Sequence, residues 1–366
     1  MKNSYDAIVI GDGIFGLLFA YQLNVRNLKV LVVSKSESKF LISASLNSAA
    51  FIHYYSEEID DVDLVLRSSG AYLSLVEESY RSGFGAIYYQ NKIPRDEICL
   101  KLRDNQIDIR CESGRFMFPY SGENLSNRVM VQDNFKINAF GFLSSLQKNL
   151  KSTGVDFFSS NSKLKIAGNE GSFSHISFAG DPEIFKAKYC FLALGASWGN
   201  VETHEMISKL IPVFNIRFEN PHSIEGLNVN CENGDFSYAV DSHNMLYFTD
   251  FEEYLSSTEI ENHNANRNNL IKYANIIKNR FSEYSAEIEV SIGNWGYDGY
   301  FKDRKSYKIF KYDGIRNLAG VGGLSGKGFK LAPALTEDII ESLCCEARKD
   351  SVENSSVNLE LNEFII

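Results

Sequence analysis

The sequence predicts an α/β fold of two domains, one built on a parallel sheet and the other on a largely antiparallel β-sheet with helices. Near the amino terminus an apolar strand, a glycine turn and a helix follow one another, and a strand, a glycine-rich loop and a helix return near the carboxyl terminus. Between about residues 206 and 300 the pattern changes to short alternating runs, which predicts the second domain.

The first elements form a βαβ unit. Asp6 to Ile10 is a nearly continuous apolar run, typical of a buried parallel strand. A helix is predicted from Phe15 to Leu23, and Lys29 to Val33 is a second buried strand. This succession within some thirty residues predicts a Rossmann-like domain.

Further elements are predicted from the same periodicities. They are a helix over 140–150, strands over 155–159, 164–166, 175–178, 189–194 and 245–248, a polar helix near 258–281 with Ile271, Ile276 and Ile277 on its inner side, a strand over 317–321 and a helix over 334–343.

Composition narrows the classes of partner and location. The chain has 37 basic and 47 acidic residues, a net charge of −10, which argues against binding nucleic acid. No apolar stretch reaches the ~18 residues that a membrane span needs. The start shows no secretory pattern, and the six cysteines show no metal-type spacing. We therefore expect a cytoplasmic protein without a metal site, its cysteines reduced.

A glycine turn follows the first strand. Gly11, Gly13 and Gly16 fit the pattern G-x-G-x-x-G, with Ile14 and Phe15 between the second and third glycines. The first glycine permits a tight turn, the second allows a pyrophosphate to approach the backbone, and the third lets the helix pack on the strand. The turn predicts a dinucleotide whose phosphates rest on the helix start.

The end of the second strand lacks the acidic residue that usually binds the ribose. Ser34 occupies this position and Lys35 follows it. Either the Ser34 hydroxyl holds the ribose, or Ser34 and Lys35 accommodate a 2′-phosphate, which would mean NADP.

Three further stretches carry a family resemblance. They are Leu318–Ala334 (LAGVGGLSGKGFKLAPA), Leu192–Trp198 (LALGASW) and Ser43–Ala50 (SASLNSAA). Together with the glycine turn they resemble the D-amino-acid-oxidase-like FAD oxidoreductases, the group of glycine oxidase, sarcosine oxidase and D-amino acid dehydrogenase. The resemblance implies a glutathione-reductase-like FAD-binding domain and favours FAD over NADP.

The resemblance also implies which residues contact FAD. Besides the turn and the Ser34–Lys35 pair, these are Ser45, Asn47, Ala49, Ala50, Leu164, Gly195, Trp198, Gly323, Leu324, Ser325, Gly326, Lys327, Gly328, Phe329 and Lys330. Asn47 occupies the place where some relatives carry a histidine, so we expect FAD to be bound non-covalently. His53 is the alternative attachment site.

The domains are expected to be discontinuous. The FAD-binding domain is predicted over residues 1–85, 135–205 and 310–366, and the substrate domain over residues 86–134 and 206–309.

The substrate side departs from the family pattern. Relatives that oxidise amino acids carry a W-x-G-x-R segment whose arginine binds the substrate carboxylate. Here the matching stretch begins at Trp295 and places Asp298 at the arginine position. If Asp298 faces the pocket, the substrate there is cationic or hydroxyl-rich; alternatively Asp298 caps a turn. Tyr297 and Tyr300, with Tyr54 and Tyr55 from the other side, are predicted to wall the pocket.

The resulting functional prediction is a flavoenzyme acting on a small molecule. We expect oxidation of a C–N bond by hydride transfer to the flavin N5, with oxygen or another compound as the final acceptor. Oxidation of a C–OH bond, a flavin-binding partner protein with a degraded substrate site, and an NADP-dependent reductase are the alternatives.

Overall fold

The fold is taken from a computed structural model. It describes residues 3–34, 43–48, 50–56, 58–117, 124–169, 172–195, 206–218, 226–230, 236–240, 245–247, 254–255, 271–272, 274–275, 288–301, 307–312, 315–324, 326–346 and 358–359.

Two sheets organise these residues, and the first contains the predicted parallel strands. Its strand order is β19-β8-β9-β18-β10-β1-β2-β7, with β17 paired to β18. The five neighbours β18, β10, β1, β2 and β7 are all parallel. The strands of this sheet are β1 (Ser4–Ile10), β2 (Val30–Ser34), β7 (Asp156–Ser159), β8 (Leu164–Asn169), β9 (Ser172–Phe178), β10 (Ile184–Leu192), β17 (Lys308–Tyr312), β18 (Ile315–Gly322) and β19 (Asn358–Leu359).

Burial on both faces explains why the central strands are continuously apolar. In β1, Ala7 and Val9 join the core on one side of the sheet, while Ile8 and Ile10 join a separate core on the other side. All four side chains are fully buried. Alternate residues of a strand point to opposite faces, and both faces are buried here. None of the last four positions of β1 is therefore suited to a polar side chain.

The second sheet is largely antiparallel, as predicted. Its order is β15-β11-β14-β13-β12-β4-β6-β3, with β16 paired to β11 and β5 to β6. Only the pair β12 and β4 is parallel among its described pairings. The strands are β3 (Phe51–Ile52), β4 (Arg81–Gln90), β5 (Ile109–Met117), β6 (Asn124–Ile137), β11 (Met206–Phe218), β12 (Gly226–Asn230), β13 (Phe236–Val240), β14 (Met245–Tyr247), β15 (Tyr254–Leu255) and β16 (Ile288–Phe301).

Helices cover one face of the parallel sheet and fill the space between the sheets. Their buried residues belong to the larger core, together with residues of both sheets. The last helix packs against the first and the third. The helices are α1 (Ile14–Val25), α2 (Ala44–Asn47), α3 (Ile59–Leu75), α4 (Asp96–Asp104), α5 (Ala139–Ser152) and α6 (Gly328–Glu346).

Two predicted elements differ from the structure. The helix predicted over 334–343 begins six residues earlier, at Gly328, and contains Pro333 in its interior. Ile271, predicted to face inward, is 47% exposed, so the inner side assigned to the polar helix is wrong at this residue. Ile276 and Ile277 lie outside the described residues. No helix in the described part of the chain is long and apolar enough to cross a membrane.

Candidate cofactor and substrate site

The glycine turn lies at an edge of the parallel sheet where three strands end. Ile10 of β1 is level with Leu192 of β10, and Leu192 is level with Gly320 of β18. The Gly11 amide donates to Val33 O at 2.8 Å, and the Ala193 amide donates to Ile10 O at 2.8 Å. In sheets of this kind, ligands bind outside the carboxyl ends of the strands.

Close backbone packing explains two of the three glycines. Gly11 has φ +109, and a Cβ built on it would overlap the carbonyl group of Ala193. A Cβ on Gly16 would overlap the carbonyl group of Gly11. A side chain at either position would therefore push β1, β10 and α1 apart.

The start of α1 is left open for a polar ligand. Its N-cap is Gly13, which has no side chain to accept a hydrogen bond from the first turn. The Ser45 hydroxyl accepts from the Ile14 amide at 3.1 Å. A hydroxyl that accepts from this amide can still donate its own proton, so Ser45 and the helix start together offer donors to an anion.

The glycine-rich segment near the carboxyl terminus, which contains Gly323, Gly326 and Gly328 and is called the late glycine segment, lies beside this helix start. Gly323 and Gly326 have φ 72 and 77, in the left-handed region that favours glycine. A Cβ built on Gly328 would lie 4.0 Å from Ile14 Cγ2, which places the first residues of α6 and α1 side by side. Two glycine segments separated by some three hundred residues thus share one site.

Lys327 ties the late glycine segment to α3. Its Nζ lies 2.5 Å from Asp61 Oδ2. The Asp61 side chain is 4% exposed and that of Lys327 is 32% exposed. The ion pair fixes the loop before α6 on a helix that the sequence did not connect to the cofactor.

A buried polar cluster lies one turn further along α6. Lys330 is 4% exposed, and its Nζ lies 3.3 Å from Tyr55 O and 3.4 Å from His53 Nδ1. The Tyr88 hydroxyl lies 2.9 Å from the same His53 nitrogen. The Tyr55 hydroxyl donates to Gln90 Oε1 at 3.1 Å. We call His53, Tyr55, Tyr88, Gln90 and Lys330 the lysine–histidine cluster.

The cluster carries positive charge while its histidine is neutral. Burial, and then the charge of Lys330, hold the pKa of His53 well below its ordinary value, and Lys327 adds to this effect. An ammonium group only donates hydrogen bonds, so the 3.4 Å contact with Lys330 favours a neutral His53 whose Nδ1 is an acceptor. The field at His53 therefore favours an anionic group nearby.

Asp12, the second residue of the turn, points toward the end of β2. Burial raises the pKa of its carboxyl to about 6, although hydrogen bonds from its own backbone and from the Ser34 hydroxyl oppose this rise. Ser34 is buried, and its Oγ lies 3.2 Å from the Ser159 Oγ. A carboxylate only accepts, so Ser34 donates to Asp12 and Ser159 donates to Ser34.

These arrangements agree with the comparison to known families. The model of the family described as DAO, FAD dependent oxidoreductase, matches residues 6–341. The chain belongs to this family. The resemblance predicted from the glycine segments is confirmed, and the family membership favours FAD over the NADP alternative.

Solved structures share the fold of this DAO oxidoreductase. An L-amino acid deaminase from Proteus vulgaris has a TM-score of 0.69 at 12% identity, covering 94% of each chain. A glycine oxidase from Geobacillus kaustophilus has a TM-score of 0.63 at 15% identity, covering 96% of each chain. An L-proline dehydrogenase from P. horikoshii has a TM-score of 0.65 at 15% identity, covering 94% of each chain. No curated protein sequence matches the chain.

The residues of this DAO chain fit an FAD molecule. The start of α1, whose N-cap Gly13 has no side chain, would hold the pyrophosphate together with the close-packed Gly11 and Gly16 and the Ser45 hydroxyl. The left-handed Gly323 and Gly326 shape a backbone surface beside it. Among the described residues, no group of three or more His, Cys, Asp or Glu could hold a metal ion.

Other predicted cofactor residues have varied surroundings. Ala50 is buried with φ 47, and Leu164 is fully buried in the core on the far side of the sheet. Phe329 is also buried, whereas Gly195 is exposed with φ 56. Asn47 is described by its backbone alone, in α2. Lys35, Ala49, Trp198 and Ser325 lie outside the described residues.

The predicted substrate residues lie on two elements. Tyr54 is buried in the main core, with its hydroxyl hydrogen-bonded to Ser69. Tyr297, Asp298 and Tyr300 belong to β16, where Asp298 is level with Lys209 of β11. The turn proposed as an alternative for Asp298 is therefore wrong, because its backbone is extended and paired. α2, in the small-residue loop, lies against β16.

The lysine–histidine cluster was not predicted as a unit. The sequence predicts Lys330 only as a cofactor residue and does not single out Tyr88 or Gln90. A usable signal exists in β4, where Ala86, Tyr88 and Gln90 alternate along one buried face of a strand. Which distant lysine would meet that face depends on tertiary packing.

Proposed function

We propose that the chain binds FAD non-covalently and oxidises the C–N bond of a small amino compound. The observation that carries the proposal is the meeting of the two glycine segments at one sheet edge, beside the buried lysine–histidine cluster. When bound, FAD would supply the two-electron acceptor for conversion of an amine to an imine. The DAO neighbours named above for amino acids support a nitrogen-bearing substrate.

The protein's own groups would hold the substrate and keep water out. We propose that Lys330 binds an anionic group of the substrate, because its ammonium lies buried in a cluster whose field already disfavours a charged His53. Lys330 would thereby provide the positive charge that Asp298 cannot provide. Asp298, with Tyr54, Tyr297 and Tyr300, is proposed to contact the amino end. An amino acid, with its carboxylate and its amine, bears both groups.

Two properties of the chain favour non-covalent attachment of the flavin. Asn47 occupies the position of the histidine that some relatives use. The alternative, His53, is buried with its Nδ1 at 2.9 Å from the Tyr88 hydroxyl and 3.4 Å from Lys330 Nζ. Acid precipitation of the purified chain should leave the flavin in the supernatant.

The experiment that tests the function is an anaerobic titration of the purified chain. The panel contains amino acids, the amines that lack their carboxylate, and the matching hydroxy acids. Bleaching of the flavin absorbance by amino acids alone supports the proposal. Bleaching by hydroxy acids alone would establish C–OH oxidation instead. An inert flavin across the whole panel would favour a flavin-binding partner protein.

A further inference from the structure

The position that usually binds the ribose lacks its acidic residue, and the carboxylate of another segment lies beside it. β2 ends in Ser34, where dinucleotide-binding folds usually carry the acid that accepts hydrogen bonds from a ribose. Asp12 belongs to the glycine turn, which is fixed beside the end of β2 because the Gly11 amide donates to Val33 O at 2.8 Å. Its carboxylate accepts a hydrogen bond from the Ser34 hydroxyl. A carboxylate is therefore present at the end of β2, although β2 does not carry it.

We infer that Asp12 is the ribose-binding acid of this protein, recognising the vicinal hydroxyls of the adenosine ribose of FAD, with Ser34 as its positioning residue. The inference rests on the proposed FAD binding and adds a residue to it. A carboxylate has about four acceptor positions. The Ser34 hydroxyl takes one of them, which leaves acceptors for a diol.

The contact that Asp12 makes distinguishes ribose binding from phosphate binding. At the helix start, where the pyrophosphate is expected, the Ile14 amide donates to the Ser45 hydroxyl. Asp12 instead contacts Ser34 at the end of β2. Because its contact is with β2 and not with the helix start, the Asp12 carboxylate would meet a part of the nucleotide that donates hydrogen bonds.

Ser34 is held in place for this function. It is 4% exposed, its Oγ lies 3.2 Å from Ser159 Oγ, and β2 and β7 are level at these two residues. The Ser160 amide also donates to Ser34 O at 3.0 Å. The hydrogen bond to Asp12 therefore starts from a fixed hydroxyl, so the carboxylate is oriented before any ligand arrives.

The test measures FAD affinity of the full chain after removal of flavin, by quenching of flavin fluorescence. FAD is compared with two analogues that lack the 2′- or the 3′-hydroxyl of the adenosine ribose. In the unaltered chain we expect at least one analogue to bind about 10- to 100-fold more weakly, as for loss of a hydrogen bond to a charged group. Asp12→Asn should weaken FAD binding by a similar factor and no longer distinguish that analogue from FAD.

Two further variants complete the design. Ser34→Ala should weaken FAD binding less than Asp12→Asn, because the carboxylate remains but is no longer oriented. Asp104→Asn, an exposed acid at the end of α4, should change nothing. Thermal unfolding of each variant verifies that it is folded.

The outcomes separate the two proposals. If Asp12→Asn binds FAD as tightly as the unaltered chain, or still discriminates against the analogues to the same extent, the ribose contact is refuted while FAD binding stands. A chain that takes up no FAD at all would overturn the proposed function and this inference together.

Discussion

The hydroxyl of Tyr72 donates a hydrogen bond to the carbonyl oxygen of Phe329 at 2.7 Å. This carbonyl is the one that Pro333, four residues later in α6, cannot satisfy because proline has no amide proton. Tyr72 is fully buried on α3, so the missing helix hydrogen bond is replaced by a side chain from a neighbouring helix. α3 also provides Ser68, whose Oγ accepts from the Ala334 amide at 3.2 Å. The turn that holds Phe329 and Lys330 is therefore completed by α3.

Replacing Tyr72 by Phe is expected to lower the free energy of unfolding by about 1 to 3 kcal/mol, the cost of a buried acceptor left without its donor. Because the affected carbonyl lies in the late glycine segment, flavin affinity should fall as well. Chemical denaturation and flavin titration measure the two effects. Tyr5→Phe is the control, since it removes an exposed hydrogen bond to Asp156. Equal stability of both variants would contradict the role given to Tyr72.

Replacing Lys327 by Met should destabilise the chain, because it leaves the buried Asp61 carboxylate without its cation. We expect a loss of about 3 kcal/mol, at the lower end of the range for breaking a buried pair, since Lys327 is partly exposed. Asp338→Asn, which breaks the exposed pair with Arg67, should cost about 1 kcal/mol or less. The double variant Asp61→Asn with Lys327→Met should recover most of the loss in urea unfolding. A Lys327→Met chain as stable as Asp338→Asn would rule out an energetic role for the pair.

The parts of this fold that the sequence predicts are those fixed by local patterns. β1, the glycine turn and α1 are recognisable because burial on both sheet faces demands an apolar run and close backbone packing demands glycine. The sequence predicts too late a start for α6 because a proline normally marks the beginning of a helix. A hydrogen bond from Tyr72, 257 residues away in sequence, allows the helix to begin earlier.

The site residues also depend on contacts between distant parts of the sequence, which local patterns do not predict. His53 and Lys330 are 277 residues apart, and neither position is unusual by itself. Asp12 lay within the motif, but its direction depends on Ser34, whose own orientation is set by β7. Long-range pairs of this kind leave no periodic signal, so the sequence predicts the cofactor class and misses the buried lysine–histidine cluster.

Gly16→Ala is expected to abolish flavin binding and to destabilise the chain by about 3 kcal/mol, at the top of the range for overpacking. The added methyl group would overlap the Gly11 carbonyl, which is backbone and cannot rotate away. Gly70→Ala in α3 is the matched control, because apart from its chain neighbours and its own helix backbone no atom lies within 4 Å of its Cβ position, and alanine favours a helix. The flavin-to-protein ratio and the melting temperature report both effects. A yellow, stable Gly16→Ala chain would show that the packing is looser than described.

Lys330→Gln should raise KM for amino acids by about 10- to 100-fold, the value of one hydrogen bond between charged groups, and leave KM for amines unchanged. The same change removes a charge that lowers the pKa of His53, so any step in the pH profile that belongs to His53 should move to higher pH. Lys148→Gln on the exposed face of α5 is the control. Equal losses for amino acids and amines would assign Lys330 a purely structural role.

Asp12 should make the flavin-free chain less stable as pH rises. Its carboxyl has a pKa raised from 3.8 to about 6, so between these values the folded chain binds more protons than the unfolded one. The free energy of unfolding therefore falls through this window, by up to about 3 kcal/mol, and stays lower above pH 6. The described charged group that acts on Asp12 is Lys151 of α5, which opposes the shift.

Urea unfolding of the flavin-free Asp12→Asn chain measures this contribution directly. The difference in stability between the variant and the unaltered chain should grow from pH 4 to pH 6 and then remain constant, with the variant more stable at neutral pH. The variant would thus be more stable without flavin and bind flavin more weakly, as expected for a charge retained for a ligand and not for folding. A stability difference that does not change with pH would show that Asp12 titrates as an ordinary exposed carboxyl.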